Sequence, residues 1–129
     1  MFGLKKKDQK KLILLVEDDA LLLEVLKLQI ESEGFQVKTA VNGLEVLELA
    51  RKFVPNLILL DLIIPGIDGF AVLRELKGDA KLAKIPVVVL SNLDKEGDIK
   101  STIALGAVEH IIKADVKVQE IIKVIKRNI

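Results

Sequence analysis

The chain of 129 residues is half hydrophobic and 30% charged, and its 20 basic residues nearly balance its 19 acidic ones. This length is typical of a single domain. The near balance of basic and acidic residues gives no indication of a nucleic acid or a membrane surface as the partner. The chain contains no cysteine, which excludes a disulfide framework, a thiolate metal site and a catalytic thiol.

The first ten residues form a lysine-rich segment. Its lysines are Lys5, Lys6, Lys7 and Lys10, and Lys11 follows directly. The apolar run behind them stops at Glu17, so the segment is neither a secretory signal nor a membrane-spanning helix. We interpret residues 1–10 as a solvated tail, residues 11–129 as the folded domain and the protein as cytoplasmic.

The first half of the chain alternates apolar runs with helical patterns. Residues 11–16, KLILLV, form the continuous apolar run of a strand covered on both faces. Polar residues then recur at helical spacing over 20–32 beside a broad apolar surface, and Gly34 suits the end of this helix. Residues 35–40 alternate like an edge strand, and a second helix is predicted over 44–53.

The second half repeats the alternation three more times. Strands are predicted at three short apolar runs, residues 56–60, 86–90 and 110–113. Helices are predicted over 69–77 and from an N-cap at Asp94 to about Leu105, and a last helix carries an apolar stripe from Val118 to Ile125. Five strand and helix pairs indicate a doubly wound α/β fold, because parallel neighbours need crossover connections that cover both faces.

Polar side chains stand at the carboxyl ends of four predicted strands. They are Glu17, Asp18 and Asp19 after the first strand, Asp61 after the third, Ser91 after the fourth and Lys113 after the fifth. In doubly wound sheets the ligand site lies beyond these ends. We therefore expect these side chains to meet at one edge of the sheet.

These residue types favour metal-assisted phosphoryl transfer. Carboxylates without a nearby histidine or cysteine suit Mg²⁺, with Asp18 and Asp61 as the expected direct ligands. Asp61 would attack phosphorus, while the Ser91 hydroxyl and the Lys113 ammonium stabilise the phosphoryl oxygens. Taken singly, Ser91 also fits an ordinary loop hydroxyl and Lys113 a surface lysine, and Asp19 fits the N-cap of the first helix better than a metal ligand.

Four segments of the chain resemble the response-regulator receiver domain of two-component signalling. They are LILLVEDD, LILLDLIIPGIDGF, IPVVVLSN and GAVEHIIK. The resemblance covers residues 11 to about 128 and is closest to single-domain, chemotaxis-regulator-like receivers. It implies a flavodoxin-like fold, with five helices around a five-stranded parallel sheet in the order 2-1-3-4-5.

Carried over by position, the resemblance implies the metal site and the phospho-acceptor. Asp61 matches the phospho-acceptor, and Glu17 and Asp18 match the acidic pair. Asp18 would bind Mg²⁺ directly and Glu17 partly through water. The backbone carbonyl of Ile63 matches a further metal ligand.

The resemblance also implies the switch residues. Ser91 matches the switch hydroxyl and Lys113 the phosphate-binding lysine. His110 stands where the family usually has the Tyr or Phe whose rotamer reports phosphorylation. A part-exposed strand residue without a switching role is the alternative interpretation of His110.

The chain departs from the family pattern at several positions around the site. The lysine is followed by Ala114 where the family usually has proline, so the loop is expected to be trans or looser. Asn92 replaces a very small residue and would either narrow access or donate a hydrogen bond to the phosphate. Ile63 and Leu93 are apolar and cannot orient an attacking water, which predicts slow self-hydrolysis of phosphorylated Asp61.

The resemblance implies a signalling role rather than a classical enzyme. A sensor histidine kinase, a histidine phosphotransfer protein or a small donor such as acetyl phosphate would supply the phosphoryl group. The fourth helix, fifth strand and fifth helix would form the surface for a downstream protein, with no nucleic acid or membrane partner.

Three alternatives remain. A degenerate or engineered receiver would act only as a protein-binding scaffold. A haloacid-dehalogenase-type phosphatase would need an aspartate where Ile63 stands. A flavodoxin-like cofactor binder would need Ser, Thr or Gly where acidic residues follow the first strand.

Overall fold

The architecture is an alternation of strands and helices, seen in a computed structural model that describes residues 10–129. The strands of this part of the chain are β1 (Leu12–Val16), β2 (Gln36–Ala40), β3 (Leu57–Leu60), β4 (Val87–Ser91) and β5 (Glu109–Ile112). The helices are α1 (Ala20–Ser32), α2 (Gly43–Phe53), α3 (Gly69–Gly78), α4 (Glu96–Ala104) and α5 (Val118–Arg127), with a 3-10 turn at Lys113–Asp115. Of the predicted tail, only Lys10 lies within the described residues.

The five strands form one parallel sheet in the order β2-β1-β3-β4-β5, which confirms the predicted topology. β3 lies at the centre, and its four residues are all buried. Val16 pairs with Leu60, so β1 and β3 end at the same level. The residues that follow these two strands are therefore placed side by side at the carboxyl edge.

Two hydrophobic cores lie on opposite faces of the sheet. Ile58 and Leu60 of β3 pack with α2 and α3 on one face. Leu57 and Leu59 pack with α1 and α5 on the other face. Because helices cover both faces, successive residues of β1 and of the central strand β3 are all apolar, as is typical of the interior of a parallel sheet.

The helix ends agree with the sequence prediction at α1 and differ at α4. Asp19 is the N-cap of α1, and its Oδ1 accepts hydrogen bonds from the backbone of Leu21 (3.0 Å) and Leu22 (3.1 Å). The predicted cap at Asp94 is wrong, because α4 begins at Glu96 and its N-cap, Lys95, makes no side-chain cap bond. The acidic residues in the first turn of α4 supply favourable charge at this helix end instead.

The apolar surface predicted for α1 is only partly used by the core. Leu26 and Ile30 are buried, whereas Leu21 and Leu28 are 76% and 64% exposed. Val25 lies between them on the exposed face, at 40%. α1 therefore keeps an apolar stripe in contact with solvent.

No helix within residues 10–129 is long and apolar enough to cross a membrane.

Candidate functional site

Two buried carboxylates stand side by side at the carboxyl edge of the sheet. Glu17 follows β1 and Asp61 follows β3, and the two residues are 1% and 4% exposed. The Asp61 amide donates to the Val16 carbonyl at 3.1 Å, and the Glu17 amide donates to Ala40 at 3.1 Å, so the parallel ladders hold both backbones. Because the parallel ladders continue for one residue past β1 and β3, these two acids lie side by side at the carboxyl edge.

Lys113 joins the two carboxylates. Its Nζ lies 2.7 Å from Asp61 Oδ2 and 2.6 Å from Glu17 Oε1, and its side chain is 15% exposed. Burial lowers the pKa of Lys113, but the hydrogen bond to Asp61 and the pairing with Glu17 outweigh burial, so the net pKa lies above its usual 10.5. At neutral pH the lysine is therefore a charged counter-ion for two buried acids.

The acidic cluster has the donor chemistry of a hard-metal site. Glu17, Asp18 and Asp61 each offer a carboxylate oxygen, and these oxygens lie within 4.8 Å of one another. Glu17 Oε1 is buried and, within the described residues, accepts no directed hydrogen bond, although the Lys113 Nζ lies close to it. Three carboxylates without a nitrogen or sulfur ligand fit Mg²⁺.

Asp18 and Asp19 are separated in role although they are adjacent. Asp18 is exposed and belongs to the carboxylate cluster. The Asp19 side chain is used by the N-cap of α1, and its amide donates to Glu17 Oε2 at 3.0 Å. The preference for Asp19 as the N-cap is confirmed, and the role of Asp18 as a metal ligand stays a prediction.

The loop between β3 and α3 is held against its neighbours by two glycines. The Gly69 amide donates to the Leu62 carbonyl at 3.0 Å, and a Cβ on Gly69 would lie 2.3 Å from Leu62 Cα. The Gly43 amide donates to Pro65 at 3.2 Å, and a Cβ on Gly43 would lie 2.4 Å from the Ile67 carbonyl oxygen. Only glycine permits backbones to approach this closely.

Ile63 occupies this loop two residues after Asp61. Its amide donates to Asp61 Oδ1 at 3.1 Å, so the loop turns back over the carboxylate. Its side chain is 57% exposed. The apolar side chain thus lies at the surface beside the site, where the resemblance implies an effect on hydrolysis.

Ser91 and Leu93 form the start of the β4 to α4 loop. Ser91 ends β4, is fully buried, and its Oγ accepts the Leu93 amide at 3.3 Å. Within the described residues it makes no bond to Asp61 or Lys113. The structure thus places Ser91 at the end of the strand next to β3, with its hydroxyl tied to its own loop.

Asn92 makes a contact that the sequence did not predict. Its Oδ1 accepts the Ala114 amide at 3.1 Å and so links the loop after β4 to the turn after β5. The Lys113–Ala114 peptide is trans, like all peptides of the described residues. The two departures from the family pattern, Asn92 and Ala114, are therefore partners of one another.

His110 is anchored through both ring nitrogens. Nε2 lies 2.8 Å from the Leu93 carbonyl, and Nδ1 lies 2.8 Å from the hydroxyl of Thr102, a fully buried residue of α4. Because a carbonyl only accepts, Nε2 must carry a hydrogen. Sequence reasoning missed Thr102, for which the only signal was a threonine eight residues before the histidine.

Comparisons with known proteins agree with this fold. The family model of the response regulator receiver domain matches residues 13–126. The polar-differentiation response regulator DivK of Brucella anthropi is 35% identical over 116 residues, which cover 90% of this chain and 94% of DivK.

Two further similarities concern a longer protein and a solved structure. The response regulator PleD of Caulobacter vibrioides is 38% identical over 78% of this chain, which spans only 22% of the length of PleD. The receiver domain of the sensor histidine kinase PA1611 of Pseudomonas aeruginosa, solved with magnesium in its active site cleft, has a TM-score of 0.84 and 24% identity. That likeness covers 93% of this chain and 98% of the solved one, and it supports the fold.

Proposed function

The chain belongs to the response regulator receiver domain family, and from this premise we propose that it accepts a phosphoryl group on Asp61. The donor is a phosphohistidine of a sensor histidine kinase or of a histidine phosphotransfer protein, or a small molecule such as acetyl phosphate. One observation carries the proposal: a buried carboxylate, paired with Lys113, lies within a cluster of carboxylates at the carboxyl edge of the sheet.

Glu17, Asp18 and Asp61, with the backbone carbonyl of Ile63, are the groups that would hold Mg²⁺. The carboxylate cluster supports this assignment. The magnesium in the related PA1611 receiver supports the choice of ion. The ion supplies positive charge that offsets the negative charge of a phosphoryl group beside three acids.

The chain's own residues perform the phosphoryl transfer itself. A carboxylate oxygen of Asp61 attacks phosphorus, the new P–O bond forms, and the bond from phosphorus to the donor's nitrogen or oxygen breaks with the electron pair leaving on the donor. The Lys113 ammonium turns from the carboxylate to a phosphoryl oxygen. The Ser91 hydroxyl and the amide hydrogens of Asn92 are the other groups proposed to donate to these oxygens.

Leu93 provides a route from the site to the output surface. Its amide donates to Ser91 Oγ, and its carbonyl accepts a hydrogen bond from His110 Nε2. If Ser91 turns its hydroxyl toward the phosphoryl group, the Leu93 amide loses its acceptor and the loop shifts. The hydrogen bond between His110 and the Leu93 carbonyl then changes as well, so we assign His110 a switching role.

The output surface of this proposal is formed by α4, β5 and α5. A groove of about 410 Å³ beside His110 runs between β5 and α5, and its lining includes Glu109, Lys123 and Arg127. Apolar walls with charges of both signs suit a protein partner rather than nucleic acid.

The donor protein is proposed to dock on the exposed stripe of α1. α1 begins two residues after Asp18, and Leu21, Val25 and Leu28 lie on one side of the helix at a spacing of four and three residues. A protein seated there would bring its phosphohistidine within reach of Asp61.

Intact-mass measurement with acetyl phosphate tests the acceptor. The parent protein should gain one phosphoryl group in the presence of Mg²⁺ and not in its absence. Asp61→Asn should abolish the gain, whereas Asp98→Asn on α4, with the same loss of charge, should keep it. A parent that never gains mass would contradict the proposal and favour a binding scaffold, and a labelled Asp61→Asn would place the acceptor elsewhere.

A further inference from the structure

The loop after β4 and the turn after β5 are linked by one side chain. The last paired residues of these strands are Ser91 and Ile112. One residue beyond Ser91, Asn92 accepts the Ala114 amide with its side-chain oxygen, at 3.1 Å and across 22 residues of sequence. The amide oxygen thus takes the place of a backbone carbonyl and extends the β4 to β5 ladder past the end of both strands.

This link requires an amide hydrogen at position 114. Proline, which the family pattern usually has there, carries no backbone N–H and could not make the bond. Ala114 supplies the donor and Asn92 the acceptor. Each of the two departures from the family pattern therefore has its physical reason in the other.

Lys113 lies between the two fixed points. Ile112 is held in the ladder on one side and Ala114 by Asn92 on the other, so the backbone of Lys113 is restrained at both ends. Its flexible side chain reaches Asp61 Oδ2 at 2.7 Å, 52 residues away in sequence. An ordered backbone reduces the entropy that must be lost when a long lysine side chain is held in one position.

We propose that Asn92 is a positioning residue for phosphoryl transfer, acting through the Ala114 amide to aim Lys113 at Asp61. This inference rests on the function proposed above and adds a second role to Asn92. The oxygen of the side chain performs the positioning, whereas the amide hydrogens are the part available to a phosphoryl oxygen.

Asn56 offers a matched control for the loss of the bond. Its Oδ1 accepts the Leu12 amide at 2.7 Å, also on the exposed surface, but beside the amino-terminal ends of β1 and β3. Asn56→Ala removes the same kind of bond from the opposite edge of the sheet. Both variants should lower the urea midpoint by a similarly small amount.

The test measures phosphoryl uptake from acetyl phosphate at saturating Mg²⁺, together with Mg²⁺ affinity. Asn92→Ala should slow the first-order uptake on the order of tenfold, should leave Mg²⁺ affinity unchanged and should speed the deuterium exchange of the Ala114 amide. Asn56→Ala should take up phosphoryl at the parent rate. An Asn92→Ala protein with the parent rate would overturn the positioning role while leaving the proposed function intact, and a parent without uptake would refute the proposed function itself.

A double variant separates the positioning role from direct contact with phosphate. Ala114→Pro removes the donor and leaves Asn92 in place, with Ala114→Ser as the control that keeps the donor. If Asn92 acts through the link, Asn92→Ala costs little further rate once Ala114→Pro is present. An equal cost in both backgrounds would assign Asn92 to the phosphoryl group alone and overturn the inference. If Ala114→Pro does not fold, the uptake rate of Asn92→Ala and its Ala114 exchange decide the question.

Discussion

Two lysines of the chain should respond to alkaline pH in opposite directions. The pKa of Lys113 lies above 10.5, since pairing with Asp61 and Glu17 outweighs the effect of burial. Its stabilisation is therefore complete below pH 10.5 and is lost as the pH rises through the raised value. Lys77 Nζ donates to the carbonyls of Ala83 (3.1 Å) and Ile85 (2.7 Å), and burial lowers the pKa of this lysine. The cost of burying its charge is complete below the lowered pKa and disappears as the pH rises from that value to 10.5.

Urea unfolding from about pH 8 to about pH 11 measures both effects, because lysines titrate in this range. Lys113→Met should be less stable than the parent, and the difference should shrink above pH 10.5. The parent should gain stability relative to Lys77→Met as the pH approaches 10.5 from below. A Lys113→Met deficit that grows with pH would contradict the ion-pair interpretation.

The side chain of Ile63 is expected to set the lifetime of the phosphorylated state. At 57% exposed it stands at the surface beside Asp61, where it can neither hydrogen-bond nor orient an attacking water. Ile63→Asn should speed the decay of phosphorylated Asp61 by up to about a hundredfold, because the amide can hydrogen-bond and orient the attacking water. The decay is followed by intact mass after the donor is removed.

Ile67 gives the control for this substitution. It lies in the same loop and is 39% exposed, but four residues further along the chain. Ile67→Asn should leave the decay rate unchanged. The idea fails if Ile63→Asn decays at the parent rate or more slowly.

At the scale of single elements, the end of α2 stores backbone strain. Val54 is the C-cap and has φ of 44°, the left-handed region that β-branched residues avoid. Pro55 follows and disfavours the right-handed helical conformation at Val54, so the chain leaves the helix through this residue. The Val54 amide still closes the last turn by donating to Ala50 at 2.9 Å.

Relief of this strain should stabilise the protein. Asparagine tolerates the left-handed region, so Val54→Asn should raise the free energy of unfolding by about 1 kcal/mol. Val108 is similarly exposed, at 44% against 49%, and its φ is not positive. Val108→Asn should therefore give no gain in urea unfolding, and equal effects of the two substitutions would refute strain at Val54.

α4 marks where sequence reasoning about elements ends. The strong periodicity of α2, α3 and α5 comes from faces that pack on the sheet, whereas α4 has Thr102 as its only buried residue. A helix with so small a buried face gives a weak pattern, so the expected cap at Asp94 preceded the true start by two residues. The Thr102 bond to His110 depends on how α4 packs beside β5, which no local pattern encodes.

For the molecule as a whole, metal binding should appear as added stability. A ligand that binds only the folded state raises the free energy of unfolding, by about 2.7 kcal/mol at a hundredfold excess over Kd. Mg²⁺ should therefore raise the urea midpoint of the parent. Asp18→Asn should remove most of this increment at little cost to the fold, because Asp18 is exposed.

The adjacent aspartate controls for charge. Asp19→Asn makes the same change in charge one residue along the chain, and asparagine is an equally good N-cap for α1. The Mg²⁺ increment should persist in this variant. If both variants lose the increment equally, a diffuse acidic field rather than the Glu17, Asp18 and Asp61 cluster binds the ion.

The parallel sheet and the meeting of Glu17, Asp18, Asp61 and Lys113 were predictable from the sequence pattern, whereas the order of the strands followed from the family resemblance. Apolar runs of strand length that alternate with helices indicate a parallel sheet, and the polar residues that follow these runs lie together at its carboxyl edge. The link from Asn92 to Ala114 and the bonds of His110 were not predictable, because each joins residues of different loops or elements through side-chain rotamers. Sequence pattern specifies which residues share an edge, and packing decides which of them touch.

The two glycines beside the β3 to α3 loop make the carboxyl edge unequal in stiffness. The backbone after Asp61 is packed against Gly43 and Gly69 without space for a methyl group. The side after β4 is held by single hydrogen bonds of Ser91 and Asn92, which rotate with their side chains. We therefore expect a displacement at Asp61 to be transmitted mainly through the loop after β4, toward α4 and β5. This difference between the two sides would make the conformational response directional.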